Sequence, residues 1–265
     1  MQHSRILRLA LLPFLALLGT GCSGRYLKSL DTKYEHTRLP AHFDKNLDQD
    51  DHYASVGVSR SEQQTVAFDA SDSVPYSFRN AGTSVEGSIL MEHEALHFGA
   101  QIGFSPGEEG LIRLGGFGGA SVTVFNRLVT SASGGVFLNN NQNRAHYEDL
   151  EWVWFFPTSV ADSTEGTEGH LEIPLRANIL FDTHTPVSPY LSVSANIVGI
   201  GISDAGETML VSGLTAGALV DLPGGHGFRF EGSTVSQEMA GKQGAMDDAQ
   251  GKALWSGRVE YVKKI

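Results

Sequence analysis

His93, Glu94 and His97 stand in "HEALH", within the longer run "SILMEHEALHFGAQIGF". On a helix, one turn puts both histidines on one side, where they can ligate zinc, with the glutamate placed to activate a metal-bound water. On a strand the geometry fails. Four residues then span about 13 Å, and Glu94 faces away from both rings. Two Zn–N bonds of about 2.1 Å cannot bridge that distance. Beyond His97 the pattern has period two, with Phe98, Ala100, Ile102 and Phe104 opposing Gly99, Gln101 and Gly103. Residues 85–95 read either way, because Ile89, Leu90, His93 and Leu96 would share one helical face. The motif is short and the chain has ten histidines, so chance matches are frequent. The sequence therefore predicts strand here, with no catalytic residues, no metal and no cofactor; a zinc site of His93, Glu94 and His97 is the alternative. There is no G-x-S-x-G and no Walker loop, and the one cysteine, Cys22, lies near the start.

The elements that would have to position any site are strands. In "HLEIPLRANILFD", Leu171, Ile173, Leu175, Ala177, Ile179 and Phe181 alternate with His170, Glu172, Pro174, Arg176, Asn178, Leu180 and Asp182. In "PYLSVSANI", Leu191, Val193, Ala195 and Ile197 alternate with polar neighbours, and "KALWSGRVEYV" repeats the scheme. Weaker alternations occupy 111–128, 147–156, 208–222 and 227–236. Turn chemistry separates them at "SPGEEG", "THTPVSP", "SDAGE" and "PGGHG", while "SASGGVFLNNNQNRAH" (131–146) reads as a long connection. From residue 96 onward this makes about eight consecutive strands. The predicted fold is all-β, an antiparallel up-and-down barrel, which leaves no exposed sheet edge.

Before the barrel come Arg5 and Arg8, the apolar Leu9–Leu18 and the small residues Gly19-Thr20-Gly21 directly before Cys22. This is the layout of a secretory signal peptide, and its apolar stretch is too short for a membrane span. The stretch ending at Cys22 resembles the lipobox of bacterial lipoproteins, which implies acylation of Cys22 as the new N-terminus. Ser23 after it is compatible with the outer membrane. Removing residues 1–21 leaves 17 basic against 30 acidic side chains, a net charge of −13. Such a chain lacks the basic surface that nucleic-acid binding needs. The expected organisation is a signal peptide over 1–21, a lipidated polar tether over 22–80, in which Ala54–Val58 and Thr65–Phe68 allow a strand or two, and a barrel over 81–265.

Periodicity alone does not say which face of the barrel is outside. Composition does. No lysine occurs between Lys45 and Lys242, although a soluble exterior would use it freely. The polar face carries Gly, Ser, Asn and Gln with isolated charges: Arg113, Arg127, Glu172, Arg176, Arg229, Glu231, Arg258 and Glu260. These eight are expected to meet in a narrow polar lumen, since an unpaired charge there is costly. Trp152, Trp154, Phe155, Phe156, Tyr190, Trp255 and Tyr261 are expected in interfacial girdles.

The stretch "HLEIPLRANILFDTHTPVSPYLSVSANIVGIG", followed by "GLTAGALVDL" and "GFRFEGSTV", resembles small bacterial outer-membrane β-barrel proteins over roughly residues 95–265. The resemblance implies a lipid-anchored outer-membrane barrel with membrane lipid as its surroundings and a structural, adhesive or envelope-organising role. Two other readings stand beside it: a lipid-tethered soluble periplasmic barrel binding a hydrophobic ligand, and the zinc metalloprotease of the HEALH motif. The sequence names no protein partner or small-molecule ligand.

Overall fold

Alternating sequence of this kind has one stable outcome, a sheet with two chemically different faces, and the computed structural model closes that sheet on itself. It describes residues 24–42, 50–62, 65–70, 73–80, 82–106, 110–125, 127–153, 156–200, 207–239 and 254–265. Thirteen strands lie among them: β1 (Gly24–Tyr34), β2 (Asp51–Ser61), β3 (Thr65–Ala70), β4 (Ser73–Asn80), β5 (Thr83–His93), β6 (Leu96–Ser105), β7 (Leu111–Val124), β8 (Leu128–Val153), β9 (Phe156–Phe181), β10 (Val187–Ile200), β11 (Glu207–Leu222), β12 (His226–Met239) and β13 (Leu254–Lys264). Ten of these close a barrel in the order β8-β7-β6-β5-β2-β13-β12-β11-β10-β9, and β9 pairs back onto β8. Every barrel neighbour is antiparallel.

The eight strands expected from residue 96 onward are present as β6 to β13, and the other two are β2 and β5. Both come from sequence ahead of residue 96. β2 lies wholly inside the segment expected to be a tether, inserted between β13 and β5. Its alternation is short and carries serine and glycine, so only the pairing partners on both sides show it to be a barrel wall. The long connection expected at 131–146 is likewise strand. Ser131, Ser133 and Asn139 of β8 face into the barrel and are buried, Asn141 and Asn143 beyond them are buried too, and Val136 and Leu138 face out. Polar inward positions gave this stretch the composition of a loop.

Burial is inverted relative to a soluble protein. Among the described residues the exposed large apolar side chains include Val56, Ile89, Phe98, Ile102, Leu114, Leu138, Leu175, Val193, Leu214 and Val259. The buried ones are mostly polar, with Glu86, Arg113, Asn139, Glu172, Arg176, Asn196, Arg258 and Glu260 among them. An apolar exterior around a charged interior suits hydrocarbon outside, where each strand's backbone bonds are satisfied by its neighbours. It also removes the apolar interior that a carrier of hydrophobic ligands needs.

The two ends of the barrel differ. At one end short turns join the strands at 94–95, 125–127, 182–186 and 223–225. The tight reversals use positive φ at Glu94, Phe125, His184, Gly224 and Gly225, and at the last two glycine meets that demand without strain. The other end carries the longer connections, and there β8 and β9 run on beyond the wall. Their mutual pairing extends from Leu128↔Phe181 to Val153↔Phe156. β7 leaves β8 at Asn139, and β10 leaves β9 at Glu172. The remaining hairpin of β8 and β9 projects roughly 45 Å at strand rise. β1 pairs antiparallel with its β8 side from Gly24↔Leu150 to Lys33↔Gln142, and β4 and β3 add outside β1. Trp152 and Phe156 thus belong to the tip of this projection, away from the barrel rim where a girdle was expected, and Trp154 and Phe155 lie outside the described residues. Tyr190 is inside the lumen, and Trp255 is exposed on the outer wall. Tyr261 shares a hydrogen bond with His226 beside the 223–225 turn.

Candidate functional site

An eight-stranded barrel is just filled by its own side chains, whereas ten strands leave room along the axis. The chain fills that room itself. Residues 35–42, Glu-His-Thr-Arg-Leu-Pro-Ala-His, follow β1 into the lumen without regular secondary structure, and all eight are buried. Glu35 lies at Ser84 and Ser105 near the long-loop rim, and His42 pairs with Glu92 next to the short-turn rim. Along β5, Ser84 and Glu92 are separated by about 26 Å of strand. Seven residue steps of extended chain cover about 24 Å. The segment therefore reaches from rim to rim.

Its backbone is gripped from five strands. Arg113 of β7 donates to the His36 carbonyl at 2.6 Å and Asn196 of β10 to the Thr37 carbonyl at 2.6 Å. Gln101 of β6 donates to the Arg38 carbonyl at 3.1 Å, and Arg176 of β9 to the Leu39 carbonyl at 2.7 Å. Ser131 of β8 donates to the His42 carbonyl at 2.7 Å. Glu172 takes the other polarity: it accepts from Thr37 N–H at 2.8 Å and Thr37 Oγ1 at 2.5 Å, with Asn139 and Asn196 as further donors. Pro40 has no N–H to satisfy. Below it Ala41 packs on Val129, Leu180 and Tyr190, and Leu39 joins Leu90, Phe117 and Phe137.

Behind the segment the wall charges neutralise one another. Arg113 meets Glu86 at 2.9 Å, Arg258 meets Glu86 at 2.9 Å and Glu260 at 3.6 Å, and Arg229 meets Glu260 at 3.2 Å. Glu231 accepts from Arg176 at 2.6 Å and Tyr190 at 2.7 Å, with Arg258 at 3.7 Å. Ser55 donates to Glu260 at 2.5 Å. Buried pairs of this kind add little net stability, but removing one partner strands the other in low dielectric.

Of the eight charged residues expected in the lumen, Arg113, Glu172, Arg176, Arg229, Glu231, Arg258 and Glu260 are there. Arg127 is not. It occupies the exposed turn between β7 and β8, where its carbonyl accepts the Asp182 N–H at 2.8 Å. A turn inverts the face that alternation would assign. Sequence reasoning missed Glu86, whose alternation with Val85 lies in a stretch compatible with a helix, and it missed Glu35, Arg38, Gln101 and Asn196. The lumen-threading segment carries no periodic signal, because every side of it is enclosed.

The HEALH motif forms neither helix nor continuous strand. His93 ends β5, Glu94-Ala95 make the turn, and Leu96 opens β6 opposite His93. His97 points into the lumen and shares a hydrogen bond with Ser133 at 2.9 Å. His93 is exposed at the rim and meets Asp50 at 2.8 Å. Glu94 is exposed. The wall itself separates the two rings, so they do not share a ligand. Among the described residues no three His, Cys, Asp or Glu side chains converge to hold a metal ion. Cys22 lies outside the described residues.

One cavity between the segment and the wall, beside Thr37, Arg176 and Glu231, measures about 30 Å³, about the volume of one water molecule. A larger groove of about 1130 Å³ is lined by Val58, Phe230, Trp255 and Val259 together with the inward-facing Ser59, Ser61, Glu231 and Arg258.

No family model matches the sequence, and no curated protein matches it. Among solved structures the chain is similar to the translocator domain of autotransporter NalP from Neisseria meningitidis, at 14% identity over 81% of this chain and 88% of that one, with a TM-score of 0.40. It is similar to the COG4313 outer membrane channel from Pseudomonas putida F1, at 11% identity over 88% and 98% with a TM-score of 0.42. It is also similar to the outer membrane protease OmpT from Escherichia coli, at 7% identity over 85% and 97% with a TM-score of 0.38.

Proposed function

We propose that this chain is an outer-membrane β-barrel lipoprotein, acylated at Cys22, whose barrel is a closed platform with a structural, adhesive or envelope-organising role. The observation that carries this reading is the inverted wall sealed by the chain's own residues 35–42. Side chains such as Val193, Leu214 and Ile102 face outward where lipid would cover them, and the charged interior is occupied. A closed lumen argues for a role at the surface and not for diffusion. The projecting sheet of β3, β4, β1, β8 and β9 supplies such a surface, and among the described residues no further strand pairs with its edges. A soluble ligand carrier would need the opposite placement of apolar groups. The protease would need His93 and His97 on one side of the wall.

The test is made on the membrane fraction of producing cells. The protein is extracted in mild detergent and run in dodecyl sulfate with and without boiling, beside a Cys22→Ala variant. A mobility shift on boiling, with the variant still in the membrane, is the expected result. No shift, with the variant released in soluble form, would replace this reading by a tethered periplasmic domain.

A further inference from the structure

We infer that the lumen is a binding site for an extended polypeptide backbone, and that it holds the N-terminal side of this chain on the opposite face of the membrane from the C-terminus. The inference rests on the membrane-barrel reading and adds a direction to it. β8 leaves the short-turn end at Leu128 and runs toward the long-loop end. β1 is antiparallel to β8 and paired with its projecting part, so it begins beyond the long-loop rim and runs toward the barrel. Residues 35–42 then descend level by level: Thr37 at Glu172, Leu39 at Arg176, Ala41 at Leu180, three stations spaced four residues apart on β9. At the short-turn end Asp50 meets His93 and Asp51 meets Lys264 at 2.5 Å, close to the C-terminal Ile265, whose N–H bonds the His52 carbonyl. Only then does β2 rise as a wall strand. The chain therefore passes the membrane once through the lumen before it builds the barrel around that passage.

The wall holds side chains of the segment at Glu35, Thr37, Arg38 and His42, and it also holds its backbone. Five carbonyls and the Thr37 N–H are taken by side chains from β6, β7, β8, β9 and β10. Any extended peptide presents these groups at the same spacing, and buried backbone groups have to be paired. Arg113 and Arg176 offer forked donors and also anchor to Glu86 and Glu231, which keeps them aimed inward when a carbonyl arrives. In barrels of this class the short turns face the periplasm and the longer loops face outward. The described residues ahead of Glu35, which form β1, are then presented on the external face.

The experiment uses full-length protein in intact cells. Lys28, 58% exposed on the projecting β1, and Asp50, 67% exposed at the short-turn rim, are replaced singly as K28C and D50C. Both lie on the surface, outside the lumen network. Each is treated with a membrane-impermeant maleimide before and after permeabilisation of the outer membrane, and the parent's labelling is subtracted. The K28C protein is expected to react in intact cells, and the D50C protein only after permeabilisation. Reaction of D50C in intact cells, or of K28C only after permeabilisation, overturns the inference. The boiling shift of the same samples separates the two readings: if it persists while both positions react from the same side, the barrel stands and the threading falls.

Discussion

Glu172 is the residue whose removal should unseat the lumen segment. Its carboxylate takes two donors from that segment, the Thr37 N–H and the Thr37 hydroxyl, and is itself held by Asn139 and Asn196. A hydrogen bond to a charged partner contributes about 1.5–3 kcal/mol, so Glu172→Ala removes about 3–6 kcal/mol of the hold on the segment. At about 1.4 kcal/mol per tenfold, the population with the segment withdrawn rises by about 10²–10⁴. Purified protein reconstituted in planar bilayers reads this as conductance, because the withdrawn state leaves a polar ten-stranded lumen open. The wild type is expected to be silent, Glu172→Ala to open in frequent events, and Thr37→Val, which keeps the backbone bond, to lie between them. A Glu172→Ala protein that still shifts on boiling yet stays as silent as the wild type would refute this account of how the lumen is sealed.

Three further outcomes are expected. Val193→Arg places a charge on the outer face of β10 and should cost about 2–4 kcal/mol if it lies near the bilayer midplane, read as a lower urea midpoint in lipid vesicles; Ser194→Ala, on the adjacent position, should leave the midpoint near that of the wild type. Gly217→Val would drive a side chain into the Tyr190 ring and its hydroxyl, which donates to Glu231. Overpacking of this kind costs about 1–3 kcal/mol, seen in the same vesicle assay. The Asp50 carboxylate beside His93 holds its imidazole above the ordinary histidine range through their hydrogen bond. That contact is complete below the ordinary value and is lost as pH rises through the raised one. In Asp50→Asn the His93 ring should titrate near its ordinary value, followed by its proton resonances in detergent.

Sequence and structure part company at identifiable residues. The alternation at 170–182 and 189–197 required strands with one apolar face, and Leu171, Ile173, Leu191 and Val193 lie on that face as the pattern demands. Lysine avoidance pointed that face outward. The same reasoning brought seven of the eight named charges into the lumen, because inward positions on long strands follow from parity alone. It failed at Arg127, where a turn interrupts parity, and at Asn139, Asn141 and Asn143, whose polar run resembles a loop until β7, β9 and β1 are placed beside it.

A period-two pattern, by itself, determined that this chain forms a sheet with an apolar and a polar side, because strand geometry projects neighbouring side chains to opposite faces. It did not determine how many strands would close, because closure depends on register and shear shared by all of them. Nor did it reveal the threaded segment. Glu35–His42 has no periodicity, modest hydropathy and a proline, and in isolation it reads as solvated linker. Its place is decided by five strands distant in sequence, each supplying one side chain to a backbone group that would otherwise be buried without a partner. Only the closed barrel brings those donors together, so only the tertiary structure shows that the tether is the core.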